Sequence, residues 1–227
     1  MSDKCVVDFA SGWFSKGQQR IRETFIEQGY DGDFLFYNDT EQIEGCPSHA
    51  KAPYAFKAHA MKVAQKKGYR FILWIDSSVF AVKPVKPIFD QIERDGYLLL
   101  NGGWNTGQWC SDAALVTLGI TREEAFKIPH MMACVIGLDL NNARANQFFD
   151  RYFELSNDGI TFIGAWTNAN HEVSDDDRVK GHRHDQTAAS VIATKLGMKF
   201  ANNLLVYDDT GNSIIPETAI FVLRHPL

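Results

Sequence analysis

Five consecutive large apolar residues, Phe71 to Ile75, run directly into Asp76-Ser77-Ser78. The run is too short for a helix and rich in β-formers, so it predicts a central strand covered on both faces. Ahead of it, Phe56, Ala60, Val63 and Ala64 recur at helical spacing and Lys66-Lys67-Gly68 closes the segment. Behind it, Val85, Ile88, Phe89 and Ile92 mark a second helix over 84–94. The local unit is helix, buried strand, acidic turn, helix. In open α/β sheets ligands bind beyond the carboxyl ends of the strands, which puts Asp76 where a site is expected. A carboxylate in that place also serves simply to satisfy turn amides.

The alternation continues on both sides. A strand over 4–10 ends in Ser11-Gly12, a helix over 18–28 turns Ile21, Phe25 and Ile26 inward, and a strand over 33–37 stops at Asn38-Asp39. Further on come a strand over 96–100 that breaks at Asn101-Gly102-Gly103-Trp104, a capping box at Thr121 to Glu124, a strand over 132–140 and a helix over 143–155. Ser156 to Gly181, rich in Gly, Asn and Asp, predicts a long irregular excursion, of a kind that is usually functional or mobile. Strands alternating with helices, with no linker, repeat or low-complexity tract, predict an α/β fold. Its central sheet is mostly parallel and flanked by helices, in a single domain over 1–227.

Composition trims the list of functions. With 45% hydrophobic residues the chain can bury a full core, and its net charge of −5 offers no cationic field for nucleic acid. No run of 18 apolar residues predicts an integral membrane segment, and the first residues lack the pattern of a secretory signal, so a cytoplasmic protein is expected. Cys5, Cys46, Cys110 and Cys134 are scattered without paired spacing and read as reduced, mostly buried thiols.

A second concentration of chemistry is Lys180-Gly181-His182-Arg183-His184-Asp185-Gln186, which opens a helix carrying Ala188, Ala189, Ile192 and Leu196 inward. A helix start favours anions, and two imidazoles, a guanidinium and a carboxylate can grip phosphate, bind metal or move protons. The plainer alternative, less favoured by this density of side chains, is that Asp185 only caps the helix while the histidines sit in solvent. Asp31-Gly32-Asp33 and Asp175-Asp176-Asp177 are acidic too, but their turn and loop settings read as solvated, and His59 and His130 read as packed histidines.

Trp74-Ile75-Asp76-Ser77-Ser78 at a strand end, Tyr54-Ala55-Phe56-Lys57 on the preceding helix and His184-Asp185-Gln186 opening a later one resemble a nucleotide-sugar glycosyltransferase of the GT-A fold, over nearly the whole chain. The similarity is to small bacterial and viral glycosyltransferase-like proteins. The resemblance implies that Asp76 touches the donor ribose or a divalent metal, and that Ser78 stands where the family carries a second Asp. It also implies that Phe9, Ala10, Ser11 and Asn38 cradle the nucleotide, a UDP-sugar in the first instance, with Ser77 beside them and Lys57 near the diphosphate.

Transferring a sugar from a nucleoside diphosphate requires stabilising the charge that grows on the departing group, through a metal or through cations. Mn²⁺ or Mg²⁺ is the expected cofactor, with Asp76, Ser78 and His184 as ligands, although a hydroxyl at Ser78 is a far weaker ligand than a carboxylate. Lys180, His182, Arg183 and His184 are the cationic alternative. Asp185, with Asp76 and His184, forms the expected catalytic set: a base for inversion, or a back-side stabiliser or nucleophile for retention. Trp104, Asn105, Gln108 and Gln186 are candidates for a carbohydrate acceptor, since sugars stack on indoles, while Trp104 and Trp109 could also pack as a cover over the core. Two other readings compete with a hexosyl-type glycosyltransferase. Ser78 would suit a non-catalytic nucleotide-sugar or glycan-binding module, and His182-x-His184-Asp185 a metal-dependent hydrolase.

Overall fold

The computed structural model describes residues 2–201, 205–209 and 214–224. In chain order its strands are β1 (Lys4–Phe9), β2 (Asp33–Tyr37), β3 (Phe71–Ile75), β4 (Val79–Ala81), β5 (Tyr97–Asn105), β6 (Pro129–Asp139), β7 (Val206–Asp208) and β8 (Phe221–Leu223). Its helices are α1 (Ser15–Glu27), α2 (Ala55–Lys66), α3 (Lys86–Asp95), α4 (Asp112–Leu118), α5 (Arg122–Ala125), α6 (Ala143–Leu155) and α7 (His184–Lys195).

The main sheet has the order β2-β1-β3-β6-β5. β1 pairs parallel with β2 and β3, and β6 runs antiparallel between β3 and β5, so four of the five strands point the same way. β3 is buried along its whole length because both its edges are paired and both its faces are covered. Ile72 and Trp74 enter the core under α2, α6 and α7, whereas Leu73 and Ile75 enter the core under α1 and α3. This strand therefore shows no polar alternation, as a doubly covered strand should.

Helix α1 begins earlier than its apolar pattern suggests, and its buried face is Gly17, Gln18, Ile21 and Phe25. Ile26 does not turn inward; it is an exposed residue, roughly one helical step of 100° round from Phe25. Gly17 allows a close crossing. A Cβ there would lie 2.0 Å from the Ser77 carbonyl oxygen, so only glycine lets α1 lie against the acidic turn.

Three short strands and α4 were not legible as patterns. β4, β8 and β7 form a small second sheet in that order, each three residues long. It buttresses the turn after β3: the Arg224 N–H donates to the Ser78 carbonyl at 3.0 Å, and the Arg20 guanidinium reaches the same oxygen at 3.0 Å. Residues 156–181 form the expected irregular excursion, ordered from within by Asn168, whose side chain accepts from the amides of Val173 and Ser174. No described helix is long and apolar enough to cross a membrane.

Candidate active site

The parallel strands bring their carboxyl ends to one edge, and helices that run back against them start there. At this edge lies a cleft of about 590 Å³, lined by Phe9, Ala10, Ser11, Asn38, Tyr54, Lys57, Asp76, Ser77 and Ser78 among others. Eight residues singled out for nucleotide binding thus share one cavity. Phe9 stacks on Phe56 at 4.3 Å between ring centres, giving the cleft an aromatic wall. Asn38 is spent structurally: its amide donates to the Ala10 carbonyl at 3.1 Å and to Gln18 at 2.8 Å, tying the ends of β1 and β2 together.

At the floor of the cleft Lys57 is buried, and its three protons find three acceptors. They are the Ala133 carbonyl at 2.9 Å, Asp76 Oδ1 at 3.0 Å and Asp185 Oδ2 at 3.3 Å. An ammonium so placed satisfies its whole donor capacity. Burial on its own lowers the Lys57 pKa, but the two carboxylates outweigh it and hold the group charged. Trp74 Nε1–H donates to Asp76 Oδ1 at 2.7 Å, so both contacts fall on one oxygen of a side chain that lines the cavity. Asp185, also held by the Tyr152 hydroxyl at 3.4 Å, has its carboxyl pushed up to about 6 by burial. The start of α7 and the end of β3 are therefore joined through one lysine.

The two histidines of the α7 start do different things. His182 Nε2–H donates to the Thr161 carbonyl at 3.0 Å while Nδ1 accepts from the Ser111 amide at 3.2 Å. Burial pushes its pKa down to about 3, so it is a neutral pin between the excursion and α4. With both nitrogens engaged it is no metal ligand, which removes the His182-x-His184 pair on which a metal-dependent hydrolase would rest. His184 adopts a left-handed φ of 43° and donates from Nδ1 to the Phe162 carbonyl at 2.9 Å. Its buried Nε2 keeps a lone pair without a hydrogen-bond partner among the described residues. Its ring lies 5.4 Å from Tyr54, which is itself left-handed at φ 62°. Two strained residues meeting at the heads of α2 and α7 are the kind of backbone strain that clusters at functional sites.

Among the described residues, no group of three His, Cys, Asp or Glu side chains could hold a metal ion. Of the expected ligands, Asp76 is engaged by Lys57 through Oδ1, and the backbone carbonyl of Ser78 accepts from Arg20 and Arg224.

Arg183 is not among the residues that line the cleft. Its guanidinium is sandwiched 3.8 Å from the Trp109 ring and 4.4 Å from Trp166. Trp104 and Gln186 line a second cavity of about 360 Å³ with Met131, Met132 and Asp208. Asn105 caps the following turn by accepting from the Gln108 amide at 3.0 Å, so it is structural.

Asp8 was not anticipated. It is fully buried on β1, neither carboxylate oxygen has a partner at hydrogen-bond geometry among the described residues, and burial, against a smaller opposing pull from Gln18, raises its pKa to about 8. The signal was a lone carboxylate inside the apolar run Cys5-Val6-Val7-Asp8-Phe9.

No protein-family model and no curated protein matches the sequence. Solved structures do. Mouse xyloside xylosyltransferase 1 in its apo form superimposes with a TM-score of 0.55 at 9% identity, covering 98% of each chain. A glycosyltransferase involved in the glycosylation of the major capsid of PBCV-1 gives 0.52 at 14% identity, over 96% of this chain and 93% of that one. This is a glycosyltransferase fold of the GT-A type. The bifunctional glycosyltransferase WbbM, in its apo structure, shares it at a TM-score of 0.55 and 10% identity, and the chain spans 45% of that protein's length. At such identities the likeness lies in the fold, and activity has to be argued from the site.

Proposed function

We propose that the protein transfers a sugar from a nucleoside diphosphate donor, a UDP-sugar in the first instance, to a carbohydrate hydroxyl. One observation carries this reading: Lys57 joins the strand-end carboxylate Asp76 to Asp185 of α7 at the floor of the cleft. The aromatic wall of Phe9 and Phe56 suits a nucleobase, and Ser11, Ser77 and Ser78 suit a ribose and diphosphate. Lys57 is then the fixed positive charge against which the departing diphosphate develops its negative charge, in a buried setting where such a charge counts most.

A divalent ion, when bound with the donor, would add Lewis-acid stabilisation of the same diphosphate, with Asp76 as its protein anchor. Asp185 holds Lys57 in place, and its raised carboxyl is suited to take the proton of an acceptor hydroxyl arriving on the Gln186 side. His184 Nε2, buried and unpartnered beside Tyr54, is a reserve acceptor for a donor hydroxyl.

Incubation with a panel of UDP-sugars in the presence of Mn²⁺, with released UDP as readout, tests the reading. Wild-type protein should release UDP from at least one donor, and Asp76→Asn should lower that rate by about a hundredfold while the variant still folds, with Asp185 left as the counter-charge of Lys57. Release by Asp76→Asn at the wild-type rate contradicts the assignment. A protein that binds UDP-sugars without turning any over would instead be a binding module, as Ser78 in place of a second acid would suit.

A further inference from the structure

Between the two cavities runs a line of stacked rings that the donor site does not use. Trp104, in the second cavity, lies 5.4 Å from Trp109. Trp109 stacks on the Arg183 guanidinium, which stacks on Trp166, and Trp166 lies 5.9 Å from Tyr54 at the edge of the first cavity. The line is held rigidly. The Arg183 amide donates to the Trp109 carbonyl at 3.2 Å, its guanidinium to the Trp166 carbonyl at 2.7 Å, and Gly181 passes so close that a Cβ would lie 2.0 Å from the same Trp166 oxygen. Yet the indoles at its two ends are half exposed, Trp104 at 52% and Trp166 at 49%. Core packing would bury them, and preorganised exposed aromatics next to a site mark binding.

We propose that this line is the acceptor platform and that the acceptor is an oligosaccharide of several units lying along it, not a monosaccharide or a polypeptide side chain. The inference rests on the glycosyltransferase reading above. Arg183 takes the inner faces of Trp109 and Trp166, and the open aromatic surface lies on Trp104 and Trp166, so the row alternates indoles with a cation and is not a continuous apolar patch. That pattern matches a chain of pyranose rings, each with an apolar C–H face to stack and a polar rim to meet Arg183 and Gln186. The row begins beside Gln186 and passes His184, 5.0 Å from Trp166, so a chain laid on it would bring an end to the Lys57 floor.

Binding of the full chain, with UDP present, to an array of neutral and acidic glycans from one to six units long tests the proposal. Affinity should rise with length, by about tenfold from one unit to three, as each further stacked ring adds contact. Trp166→Ala should lose that gain and Trp166→Phe should keep most of it. Equal affinity for short and long chains, no glycan bound at all, or a folded Trp166→Ala with the full gain would overturn it; the wild-type length series decides even should Trp166→Ala not fold. Release of UDP from a donor by wild-type protein separates the two ideas. Release without a length effect defeats only the platform, and absence of both UDP binding and release defeats the transferase reading beneath it.

Discussion

Lys4 and Lys57 both reach aspartates, at opposite edges of the same sheet. Lys4 meets Asp31 at 2.5 Å at the amino end of β2, beside a side chain that is 79% exposed. Lys57 meets Asp76 and Asp185 at the carboxyl end of β3, where it is buried and every proton has an acceptor. The shorter contact is the weaker one in consequence, because water and salt screen an exposed pair while a buried charge depends wholly on its partners. Asp31-Gly32-Asp33 even carries the spaced pair of acids that Asp76-Ser77-Ser78 lacks. Strand polarity, more than motif, decides which acid stands in a cleft.

The largest effect that would break this comparison is at the two lysines. Lys57→Ala leaves two buried carboxylates facing each other without a cation and should cost about 3–5 kcal/mol in denaturant unfolding, with loss of sugar release. Lys4→Ala should leave both the melt and the turnover near wild type. Equal effects in the two variants would erase the distinction.

A smaller effect sharpens it from the far side of the turn. Gly17→Ala forces α1 away from the Ser77 carbonyl, and overpacking of that order costs about 1–3 kcal/mol. Because the displaced turn carries Asp76, donor KM should rise along with the loss of stability. Gly12→Ala is the control: its Cβ would meet nothing within 4 Å, although its φ of 57° adds modest strain. A Gly17→Ala protein with wild-type donor KM would show that the turn does not need α1.

The smallest effect concerns the buried Asp8. Its folded pKa, near 8, lies above the unfolded value of 3.8, so the folded state holds its proton over a window where the unfolded state has released it. Stability contributed by the protonated acid is complete below about pH 4 and is lost as pH climbs toward 8. Asp8→Asn should therefore melt above wild type at pH 8 and no higher than wild type at pH 3.5. A pH-independent difference would mean that Asp8 is ionised in both states or partnered in solution.

Much of this was legible because the chain states it locally. The doubly covered strand, the capping box at Thr121 with its Glu124 partner and the helix opened by His184-Asp185-Gln186 are all written in consecutive residues. Ile26 was misread because Ile21, Phe25 and Ile26 form a plausible stripe, and only the crossing at Gly17 sets which side of α1 meets the sheet. The small sheet of β4, β7 and β8 was invisible because three residues carry no period. The division of labour between His182 and His184 depends on carbonyls of Thr161 and Phe162, some twenty residues away, and no spacing rule reaches that far. Arg183 looked like a phosphate ligand by composition, whereas Trp109 and Trp166 claim it.

The central claim is that the Lys57 floor receives a nucleoside diphosphate, and isothermal titration with UDP, with and without Mn²⁺, tests it most directly. Wild-type protein should bind UDP, Lys57→Arg should bind at least about tenfold more weakly, and Mn²⁺ should associate tightly only when UDP is present, since Asp76 alone cannot hold it. UDP binding unchanged in Lys57→Arg, or no UDP binding by the wild type under either condition, would contradict the account.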